Sequence, residues 1–219
     1  MSHHFDDLLD QLREKVARMS AAVQQEVEQA VEAVLTADIK LARQVIEGDK
    51  RIDEQEVLIE KGAIDLLALF QPAASDLRLI TTIIKVNGDF ERIADCAVNV
   101  AQRVPNLAGT GKYEPPQDLR IMGTSVIALL RDTIKAFNLP DPALAQQVLK
   151  GDDVVDALYH QIVHDMVGMM EADSHQASLD LSTIMIAKNL ERIADHCTNI
   201  AENVVYVSSG RIIRHLHTA

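Results

Sequence analysis

The sequence predicts an all-α fold, two tandem three-helix bundles related by an internal repeat. Three observations carry that prediction. Apolar residues recur at spacings of three and four along most of the chain, the period of one helix face. Aromatic residues amount to 3%, with no Trp, and 219 residues hold only 9 Gly and 6 Pro. That is poor material for sandwiches or barrels, whose strands lean on aromatic and β-branched residues and need frequent turns. Finally, ERIADCAVNVAQRV at 91–104 returns as ERIADHCTNIAENV at 191–204, an offset of 100 residues.

The first helix is expected over 5–35, where Phe5, Leu8, Leu12, Val16, Met19, Val23, Val27, Ala30 and Val34 form one stripe. A second helical stretch runs from Asp38 to Phe70, interrupted at Gly48-Asp49 and ended by Pro72. Ser75 is expected to cap a third helix, with Asp76 favourable in its first turn. In it Leu79, Ile83, Val86, Phe90, Ile93, Ala97, Val100 and Val104 alternate by four and three, a coiled-coil-like seam. Pro105 is expected to stop it. The following PNLAGTGKYEPP, 105–116, is rich in turn formers, and the linker is set at 107–116. Its GTGK is not a nucleotide loop, because Asn106 and Tyr113 stand where a Gly and a Ser or Thr are needed.

The pattern then repeats. A helix over 117–137 is followed by a turn at Pro140 and Pro142, a stretch broken at Gly151-Asp152, and a last helix over 174–207. Leu179, Ile186, Leu190, Ile193, Cys197, Ile200 and Val204 restate the seam, with Thr183 in place of Ile83. A lone helix cannot bury its stripe, but three can bury theirs against each other. The organisation expected is a first repeat at 1–106, the linker, and a second repeat at 117–219.

Charge narrows the function. With 21 Lys+Arg against 33 Asp+Glu the net charge is -12, the wrong sign for gripping a phosphate backbone, so nucleic acid is not an expected partner. No run approaches the ~18 apolar residues of a membrane span. The first ten residues carry Asp6, Asp7 and Asp10 and no basic segment, so no signal peptide is expected. Cys96 and Cys197 are the only cysteines and form no CxxC, which suits free thiols in the cytosol.

The chemistry-bearing pattern is four carboxylate pairs at i,i+4: Asp49 and Asp53, Glu91 and Asp95, Asp152 and Asp156, Glu191 and Asp195. The Glu/Asp pairs lie off the apolar seam, one turn apart. Like charges at that spacing disfavour a helix by a few tenths of a kcal/mol. Carboxylate oxygens so placed can converge on a hard cation, with the facing helix completing the shell. In that reading Asp49 and Asp53 face Glu91 and Asp95, and Asp152 and Asp156 face Glu191 and Asp195. Asn99 and Asn199 stand one turn further on. Plainer readings stay open: Asp49 and Asp152 as helix caps, the Glu/Asp pairs as solvated faces, and the duplication as common descent. Arg92 and Arg192 are expected to pair with a carboxylate on a neighbouring helix. His160 and His164 lack a nearby Glu base, His196 aligns with Cys96, and there is no Glu-x-x-His of a di-iron oxidase. Nothing reads as a catalytic site.

At these residues the sequence resembles the PhoU family, regulators of bacterial phosphate uptake. The matching segments are RQVIEGDKRID at 43–53, QPAASDLRLI at 71–80 and ERIAD at 91–95 and 191–195. The second half has EADSHQAS at 171–178 instead of the QPxASDLR run, so any role of Arg78 belongs to the first repeat alone. The resemblance implies a non-enzymatic, cytoplasmic protein, peripheral at the inner membrane through its partners. It implies negative regulation of phosphate uptake and of the phosphate regulon, by linking the phosphate ABC transporter ATPase subunit to a phosphate-sensing histidine kinase. It implies metal at the E(D)xxxD motifs, with Asp49, Asp53, Glu91 and Asp95 at one site and Asp152, Asp156, Glu191 and Asp195 at the other. Oxygen-only ligands favour Mg, Mn or Ca over Zn, while the family adds Fe and Zn as precedents. The long helices lead to the expectation of a homodimer. The competing class is a metal-storage or metal-dependent enzyme on a helical bundle, which would show turnover or redox cycling.

Overall fold

The computed structural model describes residues 3–109 and 113–211. Thr110, Gly111 and Lys112 of the GTGK run therefore lie outside the described residues, as do both chain ends. Every regular element described is helical: α1 (His3–Thr36), α2 (Ile39–Gly48), α3 (Lys50–Phe70), α4 (Ala74–Ala101), the short α5 (Val104–Ala108), α6 (Gln117–Asn138), α7 (Pro142–Ala172) and α8 (Ala177–Ser209), with one 3-10 turn at Ser174–Gln176.

The stripes fold as their spacing demands. On α1 the expected residues are buried from Phe5 to Val34, with Leu8 half-buried beside buried Leu9. The α4 seam is buried from Ile83 to Val100, and the α8 seam from Thr183 to Val204. Thr183 settles its hydroxyl by donating to the Leu179 carbonyl oxygen at 3.1 Å, which makes a polar residue tolerable in the seam. Within the first repeat α1 and α3 pack on α4, and within the second α6 and α7 pack on α8. Between repeats, α4 lies along α8 and α1 along α6. Phe90 of α4 meets Phe137 of α6 edge-on at 6.2 Å, so the core runs through both halves.

Several local expectations are corrected. Gly151-Asp152 does not break a helix; α7 runs through it from Pro142 to Ala172. Gly151 is there for packing, because a Cβ would stand 2.7 Å from Leu129 Cδ1. At Gly48-Asp49 the interruption is real but slight, for Asp49 keeps helical angles (φ -54, ψ -39) between α2 and α3. Ser75 does not cap α4: Ala73 occupies the N-cap without a side-chain bond, and Ala74 takes φ +49. Asp76 does lie in the first turn. Pro105 does not stop the long helix, which ends at Ala101; it sits in the first turn of α5, where its missing N–H costs nothing. The true caps are Asp38 and Asp141, each accepting two backbone N–H bonds at 2.8–3.0 Å.

Two glycines separate packing from propensity. At Gly123 of α6 a Cβ would stand 2.7 Å from Val31 Cγ1, a stiff β-branched neighbour, whereas at Gly88 of α4 nothing lies within 4 Å. Gly123→Ala is expected to destabilise by about 1–3 kcal/mol, and Gly88→Ala to stabilise by about 0.5–1 kcal/mol. Urea unfolding of the two variants beside the parent measures both; equal effects would show that α6 does not approach α1 this closely.

Candidate functional site

The bundle brings the paired carboxylates to two places, one per repeat. In the first, Asp49 and Asp53 at the α2–α3 junction lie within electrostatic reach of Glu91 and Asp95 of α4. Burial, then Asp53 and Asp95, push the Asp49 carboxyl up to about 6. Glu91 is raised by burial and then by Asp95, with Asp53 and Glu56 adding to it and Arg92 opposing. In the second, burial, then Asp156, Asp195, Asp153 and Glu191, push Asp152 up to about 7. Asp195 is likewise raised by burial, then by Glu191 and Asp156. The acids that raise Asp49, Glu91, Asp152 and Asp195 come from two helices in each repeat and form a common field of negative charge. Asp49 holds the N-cap position of α3 but makes no side-chain cap bond, and Asp152 sits inside α7 and caps nothing.

Cations of the protein already touch these faces. Arg92 does not reach a neighbouring helix as expected; it pairs on its own with Glu91 (3.3 Å) and Asp95 (3.0 Å). Arg192 forms no ion pair among the described residues. Lys188 grips Glu191 with contacts of 2.6 and 2.7 Å, a bond that raises the lysine. Among the described residues no three Asp, Glu, His or Cys side chains converge closely enough to enclose an ion as they stand. The chemistry nevertheless fits a hard cation. Asp152 Oδ1 is buried without a hydrogen-bond partner, and a set of oxygen-only donors suits a divalent ion in place of protons. The residues that would hold it are Asp49, Asp53, Glu91 and Asp95 in one repeat, and Asp152, Asp156, Glu191 and Asp195 in the other. Between α3 and α4 a cleft of about 610 Å³, lined by Asp53, Glu56, Lys85, Asp89, Glu91 and Arg92, gives access from solvent.

Sequence reasoning missed four participants. Glu56 accepts from Asn87 Nδ2 at 3.2 Å, while the same amide donates to the Glu56 carbonyl oxygen at 2.9 Å, and this ties α3 to α4. Lys188 stands three residues before Glu191, a spacing legible as a helix-surface pair. His196 Nδ1 lies 3.0 Å from Asp89 Oδ1 on α4, joining the repeats; no local pattern announces a contact 107 residues apart. Glu26 of α1 is buried, and burial, then Asp49 and Asp53, push it up to about 8. The cysteines are inert: burial raises Cys96 to about 11 and Cys197 to about 12.

Fold and site together define a class: an all-helical repeat protein bearing duplicated acidic faces, with no catalytic constellation among the described residues. The chain belongs to the PhoU family, whose domain profile, described as "PhoU domain", matches residues 16–104 and 119–204. It is 36% identical over 94% of its length to the phosphate-specific transport system accessory protein PhoU homolog of Zymomonas mobilis, covering 87% of that protein. The crystal structure of PhoU from Pseudomonas aeruginosa superposes with a TM-score of 0.91 at 37% identity, covering 94% of this chain and 100% of that one. The phosphate transport system regulatory protein PhoU from Streptococcus pneumoniae superposes with a TM-score of 0.86 at 28% identity, covering 95% and 98%. These are names of accessory and regulatory proteins, not of enzymes.

Proposed function

We propose that this protein is a cytoplasmic accessory regulator of phosphate transport. It restrains phosphate uptake and the phosphate regulon by coupling the ATPase subunit of the phosphate ABC transporter to a phosphate-sensing histidine kinase, and it acts as a homodimer held at the inner membrane through those partners. The observation that carries the reading is the PhoU match in both repeats, alongside relatives and structural neighbours named for phosphate-transport accessory and regulatory roles. No helix among the described residues is long and apolar enough to cross a membrane, which suits attachment through partners.

The acidic faces supply a physical mechanism. Without a cation the carboxylates of each repeat repel one another and strain the contact between their helices. Asp49, Asp53, Glu91 and Asp95, and Asp152, Asp156, Glu191 and Asp195, would hold a divalent ion (Mg, Mn, Fe or Zn), whose charge would neutralise theirs; so neutralised, the carboxylates would join α3 to α4 and α7 to α8 and stiffen a docking surface for the partners. The functional test replaces charge without shape. A strain carrying Glu91→Gln, Asp95→Asn, Glu191→Gln and Asp195→Asn is expected to lose repression of phosphate-regulated transcription at high phosphate. Full repression with all four substitutions, at normal protein level, would remove the acidic faces from the mechanism.

A further inference from the structure

The two repeats share a helix whose outer faces differ. At an offset of 103 residues Asp38 and Asp141 match as caps, and Gly48, Asp49 and Asp53 match Gly151, Asp152 and Asp156. At the same offset buried Met19, Val23 and Val27 of α1 fall on buried Met122, Val126 and Leu130 of α6. Buried Ile52, Ile59 and Ala63 of α3 fall on buried Val155, Ile162 and Met166 of α7. The inward faces of α3 and α7 are therefore equivalent, and the outward faces are not. On α3, Val57, Leu58, Ile64 and Leu69 are 51–73% exposed. Lys61 and Asp65 are exposed among them, one turn apart, and neither forms an ion pair among the described residues. At the equivalent positions α7 carries His160, Gln161, Val167 and Ala172, with His164 and Gly168 in place of Lys61 and Asp65.

A single exposed apolar side chain is ordinary. Four on one face, where the sister helix does without three of the large ones, are not a requirement of the bundle, and they mark a surface that a partner covers. At 3.6 residues per turn these four and the two charges fall within about 140° of the α3 circumference, opposite buried Ile59 and Ala63. The charges select the occupant. Lys61 and Asp65 stand two residues either side of Ala63. A twofold axis at that level, with two copies of α3 antiparallel, sets Lys61 of each copy opposite Asp65 of the other, and Val57 opposite Leu69. Parallel pairing would set Lys61 on Lys61 and Asp65 on Asp65. The face is complementary to itself in one orientation.

We propose that the outer face of α3 is the homodimer contact, with two copies of the chain paired antiparallel along α3 and Lys61 of each on Asp65 of the other. This deepens the homodimer reading above and rests on it. The paired stretch from Val57 to Leu69 is about 18 Å long, small for a specific interface, so the dimer dissociates on dilution. Val57 also lines the cleft beside Glu91, and pairing brings Leu69 of the second copy to its rim.

Sedimentation velocity of the full chain, over a dilution series up to about 100 µM, tests it. The parent is expected to dimerise reversibly. Ile64→Gln with Leu69→Gln is expected to raise the dimer dissociation constant roughly tenfold or more, and Val167→Gln on α7 to leave it unchanged. Lys61→Asp and Asp65→Lys are each expected to weaken self-association, because each sets like charges across the axis. An equimolar mixture of those two variants is expected to regain it, since the mixed pair has opposite charges at both contacts. All these positions are exposed, and circular dichroism checks that each variant keeps the parent fold. A dimer indifferent to the α3 substitutions overturns the inference and leaves the homodimer reading standing, as does a mixture that associates no better than its components. A parent that stays monomeric throughout overturns both and assigns the α3 face to a different protein.

Discussion

Purified untagged and without chelator, the parent protein is expected to carry metal in stoichiometric amount, and the variant Glu91→Gln, Asp95→Asn, Glu191→Gln, Asp195→Asn to carry none. The expectation follows from electrostatics. Asp49 is raised to about 6 and Asp152 to about 7, by burial first and by neighbouring acids next. A cation that displaces those protons gains what the carboxylates lose by facing one another. Arg92 and Lys188 hold three of the four targeted acids in the absence of metal, so binding requires their release, and affinity is the difference of the two. Elemental analysis of parent and variant side by side decides it and identifies the ion. The same samples report stiffening: amide hydrogen exchange in α3, α4, α7 and α8 is expected to slow on Mn²⁺ addition to metal-free parent and not in the variant. Metal absent from the parent even after incubation with Mg²⁺, Mn²⁺, Fe²⁺ and Zn²⁺ would make the acidic faces protein-docking surfaces instead.

In chelator, Glu26→Leu is expected to stabilise the protein, and by more as pH rises. The Glu26 carboxyl stands near 8 in the fold against an ordinary 4.5, through burial first and Asp49 and Asp53 next. Between those values the native state keeps a proton that the unfolded chain has lost. Stability from this group is therefore full below about pH 4.5 and falls as pH rises towards 8. Leucine at this position adds apolar burial at every pH and removes the pH-dependent loss. The gap between variant and parent is expected to widen by about 2–4 kcal/mol between pH 5 and pH 8, an order of magnitude set by the cost of an unpaired buried carboxylate. Urea unfolding at several pH values measures it. Parallel stability curves would mean that Glu26 remains solvated in solution.

What could be read from the sequence tracks how local the cause is. The helices and their buried faces were legible because a stripe at spacings of three and four is a statement about one helix alone, and Phe5 to Val34 or Ile83 to Val100 bury as spaced. The eight carboxylates stood out as a pattern because duplication marked them. Gly151 misled because glycine reads as a breaker, and only the approach of Leu129 from another helix shows why it is there. The caps misled for a related reason: an Asp after a glycine resembles a helix start, while Asp38 and Asp141, whose side chains do the capping, follow no glycine. Asp89 with His196 lay beyond any local pattern. Glu26 was within reach, since it stands inside the α1 stripe where Leu129 stands in α6, but the comparison needed the offset of the first helices and not that of the ERIAD segments.

The way the halves meet has a consequence for how such a chain arises. Equivalent helices pack on equivalent helices, α4 on α8 and α1 on α6, the arrangement of an isologous contact between two like halves. Joined in one chain, the halves are free to differ at equivalent positions. Asp89 reaches His196 across the seam at 3.0 Å, while the mirror positions hold Asn189 and Cys96. A symmetric pair of separate halves would have had to form that bond twice or not at all; joined in one polypeptide, the chain keeps it once, and with it a built-in distinction between a left side and a right side.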